Sequence, residues 1–257
     1  MLSLKVAAEV FRKRHIFLAI PENIDIKING IETQKFNPSY FSSLNAYGEL
    51  VASEVFYTRF LKYEYLLIYQ LDSFAFTDSL DEWCEYGYDH IAPTILKRTD
   101  GFWPLIDTVG VGGFSLRRVK SHIRAIQDLS NPNNLRHLES RNERVLRGAE
   151  DMYWTIGVPK YASWFIVSPP EVGLKFGIEG DPYHYKERLG RNFKVPFGCH
   201  HWNRLKFFPF FLPLLWRMKS VNTTILVRVA IELARDEGRI GIKRIRRKLK
   251  SLYKRVK

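Results

Sequence analysis

Asp72 directly follows residues 65–71 (YLLIYQL), the most hydrophobic strand-length run in the chain. A continuous apolar run of this length predicts a central strand covered on both faces. A carboxylate beyond the carboxyl end of such a strand stands where open α/β sheets bind their ligands; an aspartate that merely turns the chain would look the same. A second group of residues is Gly110-Val111-Gly112-Gly113-Phe114-Ser115-Leu116. Three glycines in four positions let backbone approach a ligand with no side chain between, although a tight turn before a strand has the same composition. Glu150 and Asp151 are adjacent carboxylates. They either complement a helix dipole or supply a general base, if burial or a neighbouring charge raises one of them. Finally, Phe197-Gly198-Cys199-His200-His201-Trp202 suggests zinc. Zinc sites, however, use about four ligands, and the sequence has no second Cys/His cluster. One of these histidines can still complete a metal site held mainly elsewhere.

These residues need a scaffold, and the patterning supplies one. Residues 15–21 (HIFLAIP) and 31–36 read as strands, and 38–60 has helical spacing with Leu44, Tyr47, Val51, Val55 and Phe56 on one side. Further short strands are expected over 88–93 and at a sheet edge over 112–116, with a helix over 117–129. Residues 130–140 form a polar loop, 144–154 a helix carrying the Glu150-Asp151 pair, and 168–179, with two prolines and two glycines, a surface excursion. Strands alternating with helices predict an α/β fold with helices on both faces of the sheet. Composition changes after Arg204, so a boundary is expected between residues 1–204 and 205–257.

The formal net charge of the 257 residues is +13, and it is local. Residues 239–257 carry ten basic side chains and no acidic one, leaving 30 basic against 27 acidic elsewhere. A nearly neutral body argues against nucleic acid as a partner. Two cysteines, Cys84 and Cys199, are too few for a disulfide framework and suit a reducing, cytoplasmic compartment. No secretion signal is expected, because Lys5 and Glu9 interrupt the first ten residues. In residues 242–257, Ile242, Ile245, Leu249, Leu252 and Val256 form one helical stripe among basic residues that include Lys243, Arg246, Arg247, Lys250 and Lys254. That pattern predicts a basic amphipathic helix lying on an anionic membrane surface. The preceding residues 207–216 (FFPFFLPLLW) either add interfacial aromatics or belong to the core.

Taken in order, residues 63–76 (YEYLLIYQLDSFAF), 83–91 (WCEYGYDHI), 111–119 (VGGFSLRRV), 150–154 (EDMYW), 175–179 (KFGIE) and 196–202 (PFGCHHW) resemble a family of bacterial glycosyltransferase-like proteins catalogued as a domain of unknown function. The resemblance spans about residues 15–204. It implies a GT-A-like, Rossmann-like mixed sheet flanked by helices. It also implies transfer of a sugar, such as a hexose, from a nucleotide-sugar donor to a surface-polysaccharide or glycolipid acceptor at the inner face of a membrane. Under it, Asp72 and Ser73 stand at the aspartate motif facing the donor, and Asp72 and His200 at a site for Mg²⁺ or Mn²⁺. Gly112 and Gly113 would pass beside the donor sugar, and Glu150 or Asp151 would be the base of an inverting displacement. The motif here has one carboxylate, and the first strand of the fold is expected to be missing. A catalytically degenerate transferase fold acting as a membrane-bound scaffold in polysaccharide assembly is the alternative.

Overall fold

The structure, a computed structural model, describes residues 2–97, 107–130, 149–219 and 221–236. Ser130 ends the helix Val119–Ser130, and the rest of the polar loop expected over 130–140, the start of the helix expected over 144–154 and the basic helix with Lys243, Arg246, Arg247, Lys250 and Lys254 lie outside the described residues. The architecture is mixed α/β, as the alternation predicts, but the strands of the described residues are divided among three sheets. Strands β1 (Phe17–Pro21) and β2 (Glu32–Phe36) form a parallel pair. Strands β3 (Tyr65–Tyr69), β8 (Phe114–Arg118) and β5 (His90–Ile91) form an antiparallel sheet in the order β3-β8-β5. The third sheet has the order β4-β10-β9-β6-β7, from Ser73–Ala75, Gly198–His200, Gly177–Glu179, Thr94–Ile95 and Thr108–Val109.

β3 is covered on both faces but is not central. Tyr65, Leu67 and Tyr69 pack on a cluster with Phe11 and Trp83, while Leu66 and Ile68 face one with Tyr57 and Val119. The strand itself lies at the sheet edge, and β8, expected at an edge, is the middle strand. The segment 38–60 breaks into a 3₁₀ turn and the helices Leu44–Val51 and Glu54–Thr58, capped by the hydroxyls of Ser43 and Ser53. Because of the break, Leu50, Val51, Phe56 and Tyr57 are buried, whereas Leu44 and Val55 are exposed.

The expected surface excursion over 168–179 is instead a helix and a strand with one face buried, while Pro169, Glu171 and Lys175 stay exposed. Pro170 opens the helix Pro170–Phe176, where its missing N–H costs nothing, and β9 follows directly. The aromatic-proline segment is core as well. Phe208–Leu215 is a helix whose Phe208, Phe211, Leu212 and Leu215 share one buried cluster with Phe74, Ile178 and Cys199. These aromatics are therefore not free to lie in a membrane interface. Among the described residues, no helix is long and apolar enough to cross a membrane.

Candidate metal centre and carboxylate pair

The ladder register assembles the site. His200 pairs with Ser73 on one side and with Glu179 on the other. In a strand, side chains alternate between faces. Phe74, Ile178 and Cys199 enter the buried cluster on one face, and the residues beside them, His200 and Glu179, share the other. Asp72 sits in the short crossing from β3 to β4, between the two larger sheets. Its backbone carbonyl accepts from Trp202 N–H at 3.4 Å, which ties the crossing to the end of β10.

Glu179 holds both histidines. Its carboxylate oxygens lie 2.8 Å from His200 Nδ1 and 2.7 Å from His201 Nδ1. The opposite ring nitrogens then face Asp72, at 3.3 Å for His200 Nε2 and 3.7 Å for His201 Nε2. Consecutive strand residues would send the two rings to opposite faces. His201 avoids this with φ of 58°, and it is the one non-glycine with left-handed φ among the described residues. The imidazole centroids are consequently 3.9 Å apart. Such a conformation costs on the order of 1 kcal/mol or more and is concentrated at functional sites. Asp72, His200 and His201 each offer a ligand atom within 4.8 Å of the others.

The electrostatics follow from this geometry. Burial alone would lower His200, but hydrogen bonds and charge from Asp72 and Glu179 outweigh it and raise the ring to about 9. Burial would raise Asp72 and Glu179; hydrogen bonds to the histidines reverse this and hold both carboxylates below their usual values. Asp72, Glu179, His200 and His201 thus form one connected network, with Gln70 Oε1 also 3.1 Å from His200 Nε2.

Gly113 borders this network, and Gly112 borders Glu150. A methyl group on Gly113 would overlap His200 Nε2 and Gln70 Oε1, and one on Gly112 would overlap the Glu150 carboxylate. The space they leave is filled by the protein's own side chains rather than left open for a donor sugar. Ser73 is also turned inward: it is buried, and its hydroxyl donates to Gly113 O at 2.9 Å.

The two adjacent carboxylates have different surroundings. Glu150 accepts from Arg117 Nη2 with both oxygens, at 2.8 and 3.2 Å. Arg117 is fully buried and also donates to Tyr57 Oη, Ser115 Oγ and the carbonyls of Val51 and Gly112. Burial still leaves Glu150 raised, with Arg117 opposing the shift. Asp151 is half-buried, and burial raises its carboxyl too, against one hydrogen bond from Met152 N–H. The charge of Glu179 reaches Asp151 and pushes it in the same direction. The helix continues through a π-helical turn, Tyr153–Gly157, where Pro159 has no N–H to offer Thr155.

An open cleft of about 430 Å³ adjoins the site, lined by Leu44, Tyr47, Gln70, Leu71, Asp72 and Asn203. The structure therefore brings Asp72, Gly113 and His200 into one contact group, and Gly112 to Glu150. Sequence reasoning missed the roles of Glu179, His201 and Arg117. Adjacent histidines were visible, but the left-handed turn that puts both rings on one side was not.

The chain belongs to a family described as a protein of unknown function (DUF5672), whose sequence profile matches residues 30–200. No curated protein matches the chain, and no solved structure does.

Proposed function

We propose that this member of the family is a GT-A-like glycosyltransferase that moves a sugar from a nucleotide-sugar to a glycan or glycolipid acceptor. The observation that carries the reading is the meeting of Asp72 and His200, 128 residues apart, at 3.3 Å beside an open cleft at the end of a strand. Asp72 and His200, joined by His201, would hold a divalent cation, which when bound offsets negative charge developing on a leaving diphosphate. Tyr47, Gln70 and Asn203 line the cleft where the nucleotide side of the donor would rest. Asp151 is the base we favour. Its raised carboxyl suits proton abstraction, whereas Glu150 is engaged with Arg117. Asp151 would take the acceptor hydroxyl proton as the acceptor oxygen bonds to the anomeric carbon. The bond from that carbon to the diphosphate breaks, and the diphosphate leaves with its electron pair.

Calorimetry with a panel of nucleotide-sugars tests this reading. The full chain should bind at least one of them, and Asp72→Ala should abolish that binding. Equal donor affinity in the variant would remove Asp72 from the site, and no binding across the panel would end the transferase reading. One observation favours the degenerate scaffold instead: Glu150, one of two candidate bases, is locked in an ion pair. Turnover that depends on Asp151 would decide against it. Attachment to the inner face of a membrane through residues 239–257 is part of the same proposal and rests on their charge pattern.

A further inference from the structure

We infer that Asp72, His200 and His201 form a three-ligand site selective for a first-row transition-metal ion over Mg²⁺, with Glu179 as the residue that positions both imidazoles. This deepens the transferase reading, which assigns a cation to Asp72, but it can be tested with metal alone.

The donor set points to the metal class. Mg²⁺ takes oxygen ligands and keeps several waters, whereas imidazole nitrogen suits Mn²⁺, Fe²⁺, Co²⁺ and Zn²⁺ increasingly well. Two nitrogens and one carboxylate make a set in which oxygen is the minority ligand. The spacing is also suitable. Ligand atoms about 2.1 Å from one ion lie roughly 3.0–3.4 Å apart in octahedral or tetrahedral geometry. His200 Nε2 is 3.3 Å from Asp72 Oδ1 and His201 Nε2 is 3.7 Å from Asp72 Oδ2, so side-chain rotation brings one ion within reach of all three, with His200 Nε2 exchanging its 3.1 Å contact to Gln70 Oε1 for the metal.

Glu179 gives the second, independent observation. Metal-binding histidines commonly donate their other ring N–H to a carboxylate, which fixes tautomer and orientation. Here one carboxylate does this for two histidines at once, through separate oxygens at 2.7 and 2.8 Å. With both Nδ1 atoms donating to Glu179, both Nε2 atoms are the metal-facing nitrogens. The left-handed backbone at His201 is what brings the second ring to the site.

The test titrates metal-stripped full chain with Co²⁺, Zn²⁺, Mn²⁺ and Mg²⁺ separately, by calorimetry and, for Co²⁺, by its visible ligand-field spectrum. Co²⁺ should bind at least about 100-fold more tightly than Mg²⁺, in the order the metal series predicts. His201→Asn keeps a residue that tolerates the left-handed backbone, so it should fold normally while losing most of the Co²⁺ affinity and changing the spectrum. Glu179→Gln should weaken Co²⁺ by about 10–100-fold. Mg²⁺ binding as tightly as Co²⁺, unchanged Co²⁺ affinity in His201→Asn, or no cation binding at all would each overturn the inference. Nucleotide-sugar binding that persists in EDTA leaves the transferase reading standing and defeats a metal-dependent donor site. Metal binding without any donor binding does the reverse.

Discussion

Arg117 and Glu150 form an ion pair at 2.8 Å in which the arginine side chain is fully buried and the glutamate nearly so. The pair joins β8 to the helical segment that carries Asp151, and through Val51 and Tyr57 it reaches the helix Leu44–Val51, which lines the cleft, and the helix Glu54–Thr58. Removing one partner of a buried pair leaves an uncompensated charge, at a cost of about 3–5 kcal/mol. Glu150→Gln should therefore lower the melting temperature sharply. Asp151→Asn, in a less enclosed position, should leave stability within about 1 kcal/mol and lower any turnover without changing donor affinity. Wild-type turnover in Asp151→Asn would remove it as the base, and an unchanged melting temperature in Glu150→Gln would deny the pair its structural role.

The two glycines should fail in different ways. A methyl group at Gly113 meets the His200 ring, which Glu179 holds and which cannot swing aside freely. A methyl group at Gly112 meets the carboxylate that Arg117 holds. Overpacking costs about 1–3 kcal/mol in either case. Gly113→Ala should also weaken Co²⁺ binding by at least roughly tenfold through ligand misplacement, while Gly112→Ala should leave the metal affinity close to wild type. Equal metal affinity in both variants would show that His200 is free to move.

Part of this arrangement is legible in the sequence, and the gaps have physical causes. Residues 65–71 announce a strand buried on both faces, because alternate side chains enter two different clusters. They do not announce a central strand, since helices can cover a strand that has a neighbour on one side only. The prolines and glycines of 168–179 mislead for a similar reason. Pro170 starts a helix and Gly177 gives close access to Pro93 and Phe114, so residues typical of loops here build a packed segment ending in Glu179. The aromatic helix Phe208–Leu215 has the composition of a membrane-surface element, and only tertiary contact with Phe74 and Cys199 reveals it as core. Asp72 and His200 were legible as separate residues. Their meeting depends on strand register, which no local pattern encodes.

Stability should peak near neutral pH in metal-free protein, and different histidines contribute to its two limbs. His90 and His122 are buried against each other at 3.3 Å, and burial, together with the charge of Arg117, holds both well below 6.5. The unfolded chain binds protons at these sites as pH falls through about 6.5 and the folded chain does not, so stability is lost on the acid side. His200 behaves oppositely: burial would lower it, but Asp72 and Glu179 raise it to about 9. Its contribution is complete below 6.5 and is lost as pH rises through about 9. Melting temperatures in EDTA should show both limbs, and His200→Asn should make the alkaline one shallower up to about pH 9 while also reducing the loss below about pH 4, because Asp72 and Glu179 are held down by the histidines. Burial also raises the thiols of Cys84 and Cys199, so part of the alkaline loss should persist, and an alkaline limb wholly unchanged by the substitution would deny His200 any share in it.

Residues 239–257 carry ten positive charges and one apolar stripe but none of the residues assigned to the metal site or to proton transfer. Each basic residue near an anionic lipid surface contributes ~1 kcal/mol, and the stripe adds apolar burial in the headgroup region. The full chain should therefore bind vesicles containing phosphatidylserine at low salt. Binding should fall steeply as ionic strength rises, because exposed charges are screened within ~10 Å at 0.1 M. A chain ending at Gly238 should leave the vesicles while keeping its melting temperature and its Co²⁺ affinity. If the full chain ignores such vesicles at low salt, the membrane proposal fails. A lowered melting temperature on truncation would then identify the stripe as packed on the body, in continuation of the helix Thr223–Asp236, whose Leu226, Ala230 and Leu233 are already buried there.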